Sequence, residues 1–135
     1  MSKTILLVDD ESDFLDPFSK KLQAAGYMVI TASGPEEAKA KYAANRDRID
    51  LVITDRVMWV EGEELDHAGL IVARHIRDRD ATLPIILHSE MDEVRAKIIR
   101  EQIASLGVVV MRKQQPFQDY LHYIQSLEPG VKLRP

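Results

Sequence analysis

Five short apolar runs, each followed by a longer amphipathic stretch, limit the folds open to this chain more than any other feature. They are Ile5-Leu6-Leu7-Val8, Met28-Val29-Ile30, Leu51-Val52-Ile53, Ile85-Ile86-Leu87 and Val108-Val109-Val110-Met111. All are brief, rich in β-branched residues and apolar at consecutive positions. Successive strand residues point to opposite faces, so a run without alternation reads as a strand covered on both sides, as in a parallel sheet. The stretches between them carry helical spacing. Phe14, Phe18 and Leu22 recur every four residues and share a face, and Gly26 offers a stop. Ser33-Gly34-Pro35-Glu36 reads as a capping box, with Ser33 as N-cap and Glu36 three residues on, opening a helix through Ala38 and Tyr42. Further helices are expected over 70–79, over 92–106 with Gly107 as the stop, and over 116–127 with Phe117, Leu121 and Ile124 on one side. This order predicts an α/β fold: a doubly wound, five-stranded parallel sheet with five helices and right-handed crossovers.

The chain has 135 residues, enough for one domain with a proper core, expected over 1–127 with 128–135 as a C-terminal tail or linker stub. With 45% hydrophobic and 30% charged residues it has the composition of a folded domain. The absence of cysteine excludes disulfides and thiolate metal sites. A net charge of −4 argues against direct nucleic-acid binding, which needs a basic footprint. No apolar run approaches the roughly 20 residues that span a bilayer, and the opening apolar run is too short for a signal peptide. The expected setting is the cytoplasm, away from membranes.

Open parallel sheets place their sites at the carboxyl ends of the strands. There the expected strands end in Asp9-Asp10-Glu11, Thr54-Asp55, His88-Ser89-Glu90 and Arg112-Lys113. Taken singly, these residues have ordinary readings: a helix cap at Asp9-Asp10 or Ser89, a turn residue at Asp55, a surface lysine at Lys113. Together they bring carboxylates, a hydroxyl and an ammonium to one edge. Crowded carboxylates resist ionisation unless a cation relieves them. An all-oxygen set of this kind suits Mg²⁺, with Mn²⁺ able to substitute. A carboxylate beside such a cation can attack a phosphoryl donor and form an acyl phosphate, with the lysine neutralising charge. His67, His75, His88 and His122 show no ligand spacing and read as surface or packing residues. Arg74, Arg77 and Arg79 read as a solvated basic edge.

With those residues in place, the chain resembles the receiver domain of two-component response regulators over almost its whole length, from Lys3 to about Leu127. The matching segments are Ile5 to Glu11, Leu51 to Asp55, Pro84 to Ser89 and Lys113, with Gly69-Leu70 and Gly107 in support. The resemblance implies a flavodoxin-like receiver fold and a role in phosphorelay signal transduction. It implies Asp55 as phosphoacceptor. Asp9, Asp10, Asp55 and the Val57 carbonyl are the implied Mg²⁺ ligands, and Ser89 and Lys113 the implied phosphoryl-binding and switch residues. The implied donor is a histidine kinase or histidine phosphotransfer protein, acting on a phosphoacceptor that is not an enzyme in its own right, though it can lose its phosphoryl group by itself. The implied output face combines the fourth helix, fifth strand and fifth helix, which is also a candidate homodimer surface. The output partner stays open, and so does the choice between a stand-alone regulator and part of a larger one.

Four departures from the family pattern stand out. The segment after Asp55 is long and acidic, Val60 to Asp66, with Trp59 where the family has proline; it would cover the pocket, repel donors or meet a partner. Glu90 replaces a small residue after Ser89. Val110 replaces the aromatic switch residue. Gln114-Gln115 separate Lys113 from Pro116. These favour an alternative, a degenerate pseudo-receiver acting as a phosphorylation-independent interaction module, whereas the complete set Asp9, Asp10, Asp55, Ser89 and Lys113 favours phosphorylation. An Asp-nucleophile phosphohydrolase would need a second acid where Val57 stands, and no glycine-rich phosphate loop follows the first strand.

Overall fold

The computed structural model describes residues 3–132. The main strands are β1 (Thr4–Val8), β2 (Met28–Ala32), β3 (Ile49–Asp55), β6 (Ile85–Ser89) and β7 (Val109–Arg112). They form one parallel sheet in the order β2-β1-β3-β6-β7. The helices are α1 (Ser12–Ala24), α2 (Pro35–Asn45), α3 (Ala68–Arg77), α4 (Glu93–Gln102) and α5 (Phe117–Lys132). All five apolar runs of the sequence supply strands of the sheet, although Val108 stands just before β7 and Met28 on the edge strand β2 is exposed.

Period-2 alternation sorts each strand between two cores. Ile5 and Leu7 of β1 join Leu51, Ile53, Ile86, Phe18, Leu22, Tyr120 and Ile124 under α1 and α5. Leu6 and Val8 join Val52, Tyr42, Val72 and Ile76 under α2 and α3. A smaller cluster seats α4 through Ala96, Ile99 and Ile103 on Leu87 and Val110. Full burial of a leucine such as Leu6, Leu7 or Leu22 contributes about 2 kcal/mol, so both faces are needed to hold the sheet.

Several local expectations are corrected. The N-cap of α2 is Gly34, not Ser33, and the acid reaching back is Glu37 rather than Glu36: its Oε1 accepts from the Ser33 amide at 2.6 Å and hydroxyl at 3.0 Å. Pro35 at the first helical position moves the helix start one residue on, so the acid in register is also one later. Helix α3 begins two residues before the expected 70, because Ala68 and Gly69 pack inward. Helix α4 is shorter than 92–106. Asp92 caps it through the Arg95 amide at 2.8 Å, and a 3₁₀ turn, Ala104–Leu106, leads to Gly107 at φ +63°. Helix α5 continues past residue 127 to Lys132.

The long segment after Asp55 is not a plain loop. Strands β4 (Met58–Val60) and β5 (Glu63–Leu65) form an antiparallel hairpin, with Glu61 at φ +52° and Gly62 at φ +81°. Two consecutive positive φ values are what a tight two-residue hairpin turn requires. Met58 is fully buried and anchors the hairpin in the α2/α3 core. Arg77, expected on a solvated edge, instead points inward. Its guanidinium donates to the carbonyls of Leu106 (2.7 Å), Leu83 (2.7 Å), Asp80 (3.1 Å) and Gly107 (3.3 Å), tying α3 to two loops.

Candidate functional site

Strand order reverses between β1 and β3, since β2 lies on one side of β1 and β3 on the other. Such a reversal opens a crevice at the carboxyl ends of the strands. Asp9 follows β1 and Asp55 ends β3; both are buried, Asp10 is half-buried and Glu11 is exposed. Ser89 ends β6 and Lys113 follows β7. The Lys113 amide donates to the Ser89 carbonyl at 2.9 Å, which holds these two loops together. Gln114 and Gln115 have structural partners here: Gln114 Oε1 accepts from the Met91 amide at 3.3 Å and Gln115 Oε1 from the Arg112 amide at 2.7 Å. Lys113 therefore reaches the site despite the two residues inserted before Pro116.

The Lys113 ammonium lies 2.8 Å from Asp9 Oδ2 and 3.2 Å from Asp55 Oδ2, and 4.4 Å from the centre of the Phe14 ring. Burial works against its charge, but Asp9 and Asp55 outweigh burial and hold its pKa above the ordinary lysine value. Burial pushes the Asp55 carboxyl up to about 7. Asp9 adds to the rise, while Lys113 and a backbone hydrogen bond from Val57 pull against it. Asp9 Oδ1 accepts from the Glu11 amide at 2.9 Å. Asp9 Oδ2 is buried, with the Lys113 ammonium at 2.8 Å as its ionic partner.

These groups fit a hard divalent cation. One oxygen from each of Asp9, Asp10, Glu11 and Asp55 lies within 4.8 Å of the others. The donors are all oxygen, and the Asp9 charge opposes ionisation of Asp55; a cation would answer both conditions. Asp9, Asp10 and Asp55 are thus brought together as expected from the sequence, and Glu11 joins them. Val57, Ser89 and Lys113 line the same cleft, about 350 Å³, with Asp10, Asp55, Arg56, Trp59, Glu64 and Glu90. A larger concavity of about 520 Å³ beside it shares Arg56 and Glu90 but holds none of the converging carboxylates.

Two features escaped sequence reasoning. The Trp59 amide donates to Asp10 Oδ2 at 2.8 Å, so the hairpin is docked on the acidic cluster. A backbone donor leaves no mark in side-chain identity; the available signal was alternation of Met58, Val60 and Leu65 around Gly62. The second is the tightness of Gly69. A Cβ there would stand 2.0 Å from the Asp55 carbonyl oxygen and 2.8 Å from its carbon, so only glycine lets α3 approach the end of β3 this closely. The Gly69 amide also donates to the Arg56 carbonyl at 2.9 Å.

Residues 5–125 match the family model described as the response regulator receiver domain. Among curated proteins, the chain is 34% identical over 99 residues to the alkaline phosphatase synthesis transcriptional regulatory protein PhoP of Bacillus subtilis (strain 168), covering 73% of this chain and 38% of that protein. It is 33% identical over 95 residues to the probable transcriptional regulatory protein TcrX of Mycobacterium tuberculosis (strain ATCC 25618 / H37Rv), covering 70% and 37%. The chain therefore spans about two fifths of the length of these relatives. Among solved structures it is similar to a response regulator receiver domain protein from Clostridium thermocellum (TM-score 0.78, 26% identity, 97% of this chain and 98% of that one). It is also similar to a response regulator receiver protein from Pseudomonas putida (TM-score 0.74, 29% identity, 93% and 98%).

Proposed function

The chain belongs to the response regulator receiver domain family, and from that premise we propose that it accepts a phosphoryl group on Asp55. The observation that carries this reading is the Asp55 carboxylate itself, buried at the end of β3 on the floor of an open cleft, with Lys113 at 3.2 Å and Asp9 beside it. The complete set of acids, hydroxyl and ammonium favours a phosphoacceptor over an interaction-only domain.

In the proposed reaction an Asp55 oxygen attacks the phosphorus of a phosphohistidine on a histidine kinase or phosphotransfer protein. The phosphorus–nitrogen bond breaks, the imidazole leaves with the electron pair and takes up a proton, and an acyl phosphate remains on Asp55. Lys113 stands where it can neutralise the incoming group, and Ser89 lines the cleft where its hydroxyl can donate to a phosphoryl oxygen. Asp9, Asp10, Asp55 and the Val57 carbonyl would hold Mg²⁺, or Mn²⁺ in its place, which when bound offsets charge on the phosphoryl oxygens. Reversal of the bond by water would return the free carboxylate without an output enzyme. The receiver unit is assigned to 1–127, with 128–135 as a following segment, and its setting to the cytoplasm. Among the described residues no helix is long and apolar enough to cross a membrane. Because the relatives are longer, the output partner belongs to the whole regulator or to a separate protein.

Incubation with Mg²⁺ and acetyl phosphate, followed by intact mass measurement, tests the reading. One phosphoryl group should add to the chain and none to Asp55→Asn. An adduct that persists in Asp55→Asn would place the chemistry elsewhere.

A further inference from the structure

His88 is a fully buried polar side chain that phosphoryl transfer as described does not use. Its ring sits edge-on to three aromatic rings, with centroid distances of 5.2 Å to Phe14, 6.0 Å to Phe18 and 5.8 Å to Tyr120. Nδ1 lies 2.9 Å from the Tyr120 hydroxyl. Nε2 has no hydrogen-bond partner and stands 4.0 Å from Asp9 Oδ2, which the Lys113 ammonium pairs from 2.8 Å. A buried ring nitrogen without a hydrogen bond thus stands across a short gap from a buried, lysine-paired carboxylate oxygen.

The tautomer decides whether that gap is favourable. The Tyr120 hydroxyl has one proton and two acceptors in reach: His88 Nδ1 at 2.9 Å and the Arg112 carbonyl at 3.3 Å. The Arg112 carbonyl already accepts from the Gln115 amide at 3.0 Å. If the hydroxyl gave its proton to that carbonyl, Nδ1 would carry the ring proton and a bare Nε2 lone pair would face a carboxylate in a buried site. Donation to Nδ1 instead leaves the proton on Nε2, directed at Asp9 Oδ2. This arrangement uses the shorter contact, and it sets a donor rather than a lone pair against the carboxylate.

We propose that His88 is a positioning residue for Asp9, with the Tyr120 hydroxyl fixing the imidazole tautomer that turns Nε2–H toward Asp9 Oδ2. The proposal rests on the phosphoacceptor reading above. Its consequence concerns Lys113, which is now shared between Asp9 and Asp55. When Asp55 carries a phosphoryl group, Lys113 gains a stronger anionic partner. His88 then remains as a donor facing the buried Asp9 oxygen and keeps that carboxylate oriented. Partners of this kind commonly tune a metal-binding carboxylate or imidazole as strongly as some direct ligands do. The chain Asp9–His88–Tyr120 also ties the acidic cluster to α5.

The test uses the full chain with ¹⁵N-labelled histidine, and Tyr120→Phe, which keeps the ring and its packing while removing the hydroxyl. Nitrogen–proton couplings should show His88 protonated at Nε2 in the unaltered chain and a mixture of the two tautomers in Tyr120→Phe, where Asp9 alone still favours the Nε2 proton; an unmixed Nε2 tautomer in Tyr120→Phe would show that the hydroxyl does not fix it. Calorimetric Mg²⁺ titration should show binding weakened about tenfold in that variant. A ring protonated at Nδ1 in the unaltered chain would overturn the proposal, as would a tautomer change in Tyr120→Phe with unaltered Mg²⁺ affinity. Failure of the unaltered chain to bind Mg²⁺ would instead refute the phosphoacceptor reading on which the proposal rests.

Discussion

With its carboxyl pushed up to about 7, Asp55 keeps a proton in the folded, metal-free chain that the unfolded chain has released near the ordinary value of 3.8. Between those values the folded state binds more protons, so this group makes stability fall as pH rises through the window. His88 acts with the opposite sign. Burial, then the Lys113 charge, pushes it down to about 3, whereas the unfolded chain protonates it near 6.5, so stability is lost as pH falls below 6.5. The two contributions oppose one another between 3.8 and 6.5. In metal-free Asp55→Asn the Asp55 contribution is gone and that of His88 remains. Urea unfolding of that variant should show stability climbing with pH up to about 6.5, against a flatter profile in the unaltered chain. Saturating Mg²⁺ should remove the Asp55 penalty at neutral pH and raise the unaltered chain's midpoint there, with little effect on the variant.

At the scale of elements, α3 and the hairpin do most to shape the cleft. Gly69→Ala exchanges a poor helix former for the best one, a change that favours α3 by about 1 kcal/mol on propensity alone. The added Cβ would meet the Asp55 carbonyl oxygen at 2.0 Å, and overpacking against backbone commonly costs about 1–3 kcal/mol or more. The expected outcome is net destabilisation in urea unfolding, with slower phosphorylation because α3 pushes on the end of β3. The hairpin brings Glu64 to the cleft that Glu90, Asp10, Glu11 and Asp55 also line, with Arg56 and Lys113 as the cations of that lining. That field repels small anionic donors. The double variant Glu64→Gln/Glu90→Gln should therefore react about tenfold faster with acetyl phosphate at low ionic strength, an advantage that shrinks as salt rises. An unchanged rate would mean that the two acids do not govern donor entry.

Legibility in the sequence follows the same division between local and distant causes. The five sheet strands and the convergence of Asp9, Asp10, Asp55, Ser89 and Lys113 could be read from the chain because each depends on local pattern and on the rule that parallel sheets carry sites at their carboxyl ends. The hairpin was harder: its strands have three residues each, and β5 carries two glutamates, so the short apolar run Met58–Val60 has no apolar partner run to pair with. The inward turn of Arg77 and the His88–Tyr120 contact depend on groups 29 and 32 residues apart meeting in space, which no local pattern encodes. The one-residue shift in the α2 cap came from Pro35, whose preference for the first helical position competed with the Ser33 capping signal.

For the molecule as a whole, the question is how a change at Asp55 reaches a partner. Val110 lies in the small core that seats α4 and is 4% exposed, so no aromatic ring stands there to turn inward. Beside that apolar seat, polar contacts link α4, β7 and the loop after β6. Glu93 on α4 pairs with Arg100 at 2.7 Å and with Arg112 on β7 at 3.3 Å, and Gln114 holds the Met91 amide beside Ser89. Coupling through these contacts predicts that Val110→Ala keeps both phosphorylation and partner response, at some loss of stability. Loss of partner response with phosphorylation intact would return the switch to residue 110. The residue that carries the phosphoryl group decides how the domain signals. The most direct measurement is transfer from a phosphorylated histidine donor in Mg²⁺, borohydride reduction of the product, and peptide mass mapping. An acyl phosphate on Asp55 should appear as homoserine at position 55 and nowhere else. Homoserine at another acid, or phosphate stable to reduction on a hydroxyl, would contradict it.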